Sequence, residues 1–194
     1  ENPVVPFVCD DHLDVVGHDK DLGRARQADK LGAFDRVALN LDMALRSAQL
    51  IIIAVPLAAT REVFQQVGAL LETDSGVVIT DTGRLKVPAA QWAEESLPGG
   101  VHYVGGDPWL APGAGGWEPL QGLTNPAPEL FEDAVYVITA RPEDHPSAAR
   151  TVANLAVTLG ATPLFMDPVE HDAARQLTTT VPSLVATALF QSTV

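Results

Sequence analysis

Cationic residues are scarce: 12 Lys and Arg face 25 Asp and Glu, giving a formal net charge of -13 and a pI near 4.5. That balance argues against nucleic acid or an anionic membrane surface as a partner. A small anion can still bind at a helix N-terminus, because local dipoles need not follow net charge. Cysteine is nearly absent. With Cys9 alone, no internal disulfide is possible, which fits a reducing cytoplasm. No stretch reaches the roughly eighteen apolar residues of a membrane span, and no signal peptide is visible. The five histidines, His12, His18, His102, His145 and His171, lack ligand-type spacing with cysteines or carboxylates, so no metal site is expected. There is no internal repeat. The chain opens on Glu1 and not on Met, so the natural start is expected upstream.

What is present is enough for one domain of ordinary size plus an appendage, since the chain has 194 residues of normal apolar content. Its organising stretch is Leu50 to Leu71. The apolar run Leu50–Val55 is too short for a helix and predicts a strand buried on both faces. Beyond Pro56, the residues Val63, Phe64, Val67, Leu70 and Leu71 fall on one helical stripe, opposite Arg61, Glu62, Gln65 and Gln66. This βα unit places Pro56 and Leu57 at the carboxyl edge of a parallel sheet, where open α/β folds bind ligands.

The same alternation holds along the rest of the chain. Glu1–Asp11, with two prolines and no helical period, is expected to be an extended edge segment or a remnant. Leu13–Gly17 predicts a short strand, followed by helices near Leu22–Leu31 and Leu41–Ala48. Further strands are expected over Gly76–Thr82, Val101–Gly106, Ala134–Thr139 and Thr162–Met166. Pro88 suits the first turn of a helix reaching Ser96, and another helix follows His145-Pro146 and ends at Gly160. Asp107 to Pro128, rich in Gly, Pro and Trp, reads as a long loop. Asp167-Pro168 opens a long C-terminal helix whose apolar positions, Leu177 to Phe190, have no later segment to cover them. Either a partner covers that surface or further chain does.

Four stretches resemble the prephenate/arogenate dehydrogenase family, in the family's order and nearly at its spacing. They are VVGHDK (Val15–Lys20); IIIAVPLAATREV (Ile51–Val63); TDTGRLKVP (Thr80–Pro88) with VHYVGGDP (Val101–Pro108); and LFEDAVYVIT (Leu130–Thr139) with MDPVEHDAA (Met166–Ala174). The resemblance implies NAD(P)-dependent oxidative decarboxylation in tyrosine biosynthesis, and a nucleotide-binding domain followed by a helical dimerisation domain. Departures from the family are equally specific. No GxGxxG turn stands in residues 1–14. Asp107 occupies the position of the family's histidine after the VGG strand, and Arg84 that of the serine in its GSxK pattern. The SHxPH run on the long helix becomes Thr179-Thr180-Val181-Pro182-Ser183, and the GTE-type substrate segment is lacking.

In this chemistry a base takes the hydroxyl proton as hydride leaves, and histidine suits the task because its pKa lies near operating pH. Asp107 would need burial to raise its pKa, whereas a nearby cation would lower it. Arg84 is the natural cation. We expect Arg84 and Asp107 to face each other where substrate and base would sit, the alternative being two solvated loop residues. By the resemblance, Asp19 would hold the cofactor ribose or else serve as a helix N-cap or turn residue. Pro56, Leu57 and Thr82 would line the nicotinamide side or else only shape turns. Thr180 and Ser183 would face substrate. His171 matches a family position and is expected as an exposed first-turn residue; Trp109 and Trp117 would cover a pocket or else pack back on the domain as loop aromatics.

The expected architecture is therefore α/β: a Rossmann-type, doubly wound, mostly parallel sheet over residues 1–166, with residues 167–194 as the first helix of a helical dimerisation and substrate domain. The expected function is that of a prephenate/arogenate dehydrogenase-like oxidoreductase, catalytically impaired, with NAD or NADP as cofactor. The alternative is a non-catalytic binding or regulatory relative that keeps the fold. The expected partners are a small acid of the prephenate or arogenate class and a second copy of the chain, joined through the C-terminal helix in a cytoplasmic homodimer.

Overall fold

The computed structural model describes residues 13–110, 128–140 and 145–192. The segment Glu1–Asp11, the leading His12, Trp117 and most of the stretch read as a long loop lie outside the described residues. A parallel pair, β1 (Val16–Gly17) and β2 (Arg36–Val37), flanks helix α1 (Leu22–Lys30). After the short helix α2 (Leu41–Leu45), β3 (Leu50–Ile53), α3 (Leu57–Leu70), β4 (Val78–Asp81), α4 (Val87–Ser96) and β5 (His102–Tyr103) follow in order. Strands β3, β4 and β5 pair in parallel with β4 in the centre. Only Val104 separates β5 from β6 (Gly105–Trp109). The second sheet has the order β6-β7-β8, where β7 spans Val135–Thr139 and β8 spans Thr162–Phe165. Strand β6 runs antiparallel to β7, and β7 parallel to β8. Asp107, Pro108 and Trp109 are thus strand residues, which corrects their reading as the start of a loop. Their backbone continues the β5 direction onto a new partner.

Alternate residues of β4 feed two cores, as the pleat requires. Val78 joins Val104, Tyr136, Ile138 and the alanine-rich face of α5 (Pro146–Thr158). Ile79 joins Ile53, Phe64 and Val67 under α3, and Ala89 and Ala93 of α4. Helices on both faces of a mostly parallel sheet make this a doubly wound α/β fold. The organising stretch forms the βα unit its periodicity predicts, with Phe64 and Val67 inside. Ile52, by contrast, is 49% exposed where two-sided burial was expected. Among the described residues β3 has a partner strand on one side only.

Helices α3 and α4 approach closely at Gly68. A Cβ built there would lie 2.0 Å from the Ser96 carbonyl oxygen, a backbone atom that cannot swing away. Gly68→Ala is therefore expected to cost about 1–3 kcal/mol through overpacking, read as a lower urea midpoint at unchanged slope.

The C-terminal arm is one helical run with an irregular middle. Helix α6 (Pro168–Arg175) passes into a π turn (Gln176–Thr180) and then into α7 (Val181–Ser192). The cause is Pro182, which has no N–H to give the carbonyl of Thr178 and whose ring crowds it. Asp167 caps α6 by accepting from Val169 N at 2.8 Å. The arm's far half is apolar and exposed, with Leu184 at 64% and Phe190 at 71%.

Candidate functional site at the carboxyl edge

Strand β4 ends on an acid, Asp81, and the neighbouring β6 carries another, Asp107, at its centre; both are 2% exposed. Each is matched by a cation, but through different elements.

Asp81 is served from its own loop and from the neighbouring strand. Its Oδ1 accepts from Lys86 Nζ at 2.6 Å and from the Tyr103 hydroxyl at 2.8 Å, while Oδ2 accepts from Gly83 N at 3.0 Å. Lys86 also donates to the Gly106 carbonyl at 2.7 Å and is fully buried. Burial pushes its pKa down, and the Asp81 charge and hydrogen bond, followed by Asp107 and Asp172, act in the opposite sense. The Tyr103 hydroxyl is pushed well up, first by burial and then by Asp81. Glycine at 105 makes this possible, since a Cβ there would sit 2.3 Å from Thr139 Oγ1 and 2.9 Å from the Lys86 stem. Tyr103→Phe removes a hydrogen bond to a charged acceptor and should cost about 1.5–3 kcal/mol, measured in the urea midpoint.

Asp107 is served from the arm. Arg175 Nε donates to its Oδ2 at 2.5 Å and Nη2 to its Oδ1 at 2.7 Å, the bidentate geometry of a guanidinium on a carboxylate. His171 Nε2 lies 2.9 Å from Oδ2, and Trp109 Nε1 donates to the same oxygen at 2.9 Å. The Arg175 guanidinium also stacks 4.7 Å from the Trp109 ring centre. Burial alone would raise the pKa of Asp107; the hydrogen bonds from His171, Arg175 and Trp109 together with the Arg175 charge outweigh it and hold the carboxyl below its ordinary range.

Two expectations are corrected here. The guanidinium facing Asp107 is Arg175, not Arg84: the Asp107 side chain meets α6, while Arg84 lies against the later part of the arm. His171 is not an exposed first-turn residue; it is fully buried between Asp107 and Asp172, with Nδ1 2.8 Å from Asp172 Oδ1. Each ring nitrogen of His171 thus meets a carboxylate.

Arg84 is exposed and lines a depression of about 320 Å³ with Thr179, Thr180, Ser183, Leu184 and Thr187 of the arm. Of the expected residues, the structure thus brings Arg84, Thr180 and Ser183 together and places Asp107 elsewhere. Thr82 N donates to the Ile53 carbonyl at 3.2 Å, tying the ends of β3 and β4. Pro56 is the N-cap residue of α3, and Leu57 stands 41% exposed beside it. Asp19 lies two residues beyond β1 and accepts from Asp21 N at 2.7 Å; Asp21, not Asp19, caps α1. Asp19, Pro56 and Leu57 thus all follow the carboxyl ends of β1 and β3, and no GxGxxG turn stands in the sequence. Among the described residues no metal-holding cluster of His, Cys, Asp or Glu exists. Likewise, no described helix is long and apolar enough to cross a membrane.

Residues 10–163 match the family model of the prephenate dehydrogenase nucleotide-binding domain. The chain belongs to that family. It is 28% identical over 179 residues to the prephenate dehydrogenase of Bacillus subtilis, covering 92% of this chain and 46% of that protein. In structure it is similar to the prephenate dehydrogenase of Aquifex aeolicus solved with hydroxyphenyl propionate and NAD+ (TM-score 0.77, 22% identity, 93% of this chain and 60% of that one). It also resembles Synechocystis arogenate dehydrogenase (TM-score 0.76, 21% identity, 91% and 59%). The chain spans about half the length of the curated relatives it matches.

Sequence reading missed Asp81, Lys86, Tyr103, Asp172 and Arg175. The quoted stretches contain all of these but Arg175, yet nothing in their spacing says that residues 64 to 86 positions apart meet.

Proposed function

We propose that this chain is the nucleotide-binding part of a prephenate/arogenate dehydrogenase-type protein that binds NAD or NADP at the carboxyl edge and does not turn the substrate over. Asp19, Pro56, Leu57 and Thr82 would hold the cofactor, which when bound supplies the hydride acceptor. A small acid would lie in the depression between Arg84 and the hydroxyls of Thr180 and Ser183. The arm of residues 167–194 would begin a helical domain through which two copies associate. One observation carries the inactive reading: the Asp107 carboxylate is saturated by Arg175, His171 and Trp109. A group held ionised below its usual range is a poor base near neutral pH, and His171 is sealed from solvent with both nitrogens engaged. What supports binding is membership of the family together with the edge geometry.

The test has two arms. Titrating NAD and NADP at ten times Kd should stabilise the fold by about 1.4 kcal/mol, a rise in Tm of roughly 3–6 °C for a domain of this size. Flat curves at millimolar cofactor would remove the binding claim. Prephenate and arogenate, assayed by reduced-cofactor absorbance, should give no rate; a rate abolished in Asp107→Asn would make Asp107 the base and overturn the inactive reading.

A further inference from the structure

Helix α4 begins without a cap of its own. Its N-cap residue is Lys86, which makes no side-chain cap bond because an ammonium has no acceptor atom to offer a backbone N–H; its amine instead donates to Asp81 and the Gly106 carbonyl. The cap comes from 86 positions away. Asp172 Oδ1 accepts from Lys86 N at 2.7 Å and Oδ2 from Val87 N at 3.0 Å, so one carboxylate spans the first two amides of α4. Those N–H groups carry the positive end of the helix dipole, and an ionised acceptor is the strongest partner they can have. Asp172 is itself nearly buried, and its Oδ1 is shared with His171 Nδ1.

The loop of residues 82–86 is therefore pinned at both ends by acids. At its start Asp81 holds Gly83 N in a tight turn, and at its end Asp172 holds Lys86 N. Between the pins lie Thr82 and Arg84. The helical run that carries Asp172 also supplies the opposite wall of the Arg84 depression, through Thr179, Thr180, Ser183 and Thr187. One element thus anchors the loop and faces it.

We infer that Asp172 is a positioning residue: by capping α4 across the domain boundary it sets the conformation of the loop that carries Thr82 and Arg84, and with it the width of the depression between that loop and the arm. The arm and the loop then move as one unit, so a ligand held by the loop shifts the position of the arm and the reverse. As far as it concerns cofactor, this rests on the nucleotide-binding reading above.

Amide hydrogen exchange on the full chain tests it without any ligand. In the unaltered protein under rising sub-denaturing urea, the Lys86 and Val87 amides should exchange through the same opening as α6, with the same urea dependence. If they stay protected while α6 exchanges, the inference is overturned. In Asp172→Asn, which keeps the shape and one acceptor oxygen, exchange at Lys86 and Val87 should quicken at least about tenfold, the scale of a hydrogen bond to a charged group. Peptides of α3 and α5 should not change. Acceleration spread evenly over the domain would make Asp172 merely a core residue, and acceleration confined to α6 would break the link; either result sinks the inference. Cofactor titration then separates the two readings. Where NAD or NADP raises the Tm of the unaltered chain, Asp172→Asn should weaken apparent affinity about fivefold or more, and equal affinity would cut the loop from the nucleotide edge. Flat curves in the unaltered chain count against the nucleotide site alone, and the exchange data still decide the role of Asp172.

Discussion

Arg175→Met is expected to destabilise the chain by about 3–5 kcal/mol, because it strands the buried Asp107 carboxylate without its cation. The pair is bidentate, with Nε at 2.5 Å and Nη2 at 2.7 Å, and Asp107 is 2% exposed. The double variant Asp107→Asn with Arg175→Met removes the stranded charge, so it should recover about 1.5–3 kcal/mol relative to the single change, a coupling of the size seen within one network. Urea midpoints of the four proteins close the cycle; additive losses would show that Arg175 acts only through its packing on Trp109. The pH dependence has a fixed sign. Asp107 has a native pKa below its ordinary 3.8, so its stabilising contribution is complete above that ordinary value and is lost as pH falls below it through the native value. Without Arg175, the leading influence of burial is opposed by less, the native pKa rises, and acid loss should begin at higher pH. An acid limb unchanged in Arg175→Met would contradict this.

Lys86→Met should have an effect of similar size, about 3–5 kcal/mol, for the same reason acting on Asp81. The methionine fills the channel over Gly105 but leaves Asp81 with only the Tyr103 hydroxyl and backbone N–H donors. Burial lowers the native pKa of Lys86 from its ordinary 10.5. Between these values the unfolded chain binds a proton that the folded chain has released, so stability gains with pH across that window. The gain is visible below about pH 10, before Tyr103 and Tyr136, whose hydroxyls are held protonated in the fold, the latter pushed up to about 12, bring the opposite slope. In Lys86→Met the gain should vanish. A urea midpoint within about 1 kcal/mol of the unaltered chain would mean that the amine contributes little beyond its stem.

Much of the scaffold was legible because it follows local periodicity. The run at Leu50 and the stripe through Phe64 and Val67 gave β3 and α3; Pro88 sits in the first turn of α4, and Asp167-Pro168 starts α6. The change of partner at Val104 was not legible, since a strand's sequence does not say whether its neighbour is parallel, and Asp107 therefore read as loop. His171 misled in the other direction. At the head of a helix a histidine usually faces water, and here the packing of α6 against the domain buries it beside Asp107 of β6.

The sequence by itself determined the alternation of strands and helices, the edge at which acids and turn residues gather, and the apolar arm that leaves the domain. Local sterics and the burial of apolar stripes act over a few residues, so they can be read along the chain. Only the tertiary structure decided that Asp107 belongs to Arg175 and His171, that Lys86 belongs to Asp81, and that Asp172 caps a helix far behind it. Coulomb attraction depends on distance through space and on exclusion of water, and neither is written in the spacing of residues.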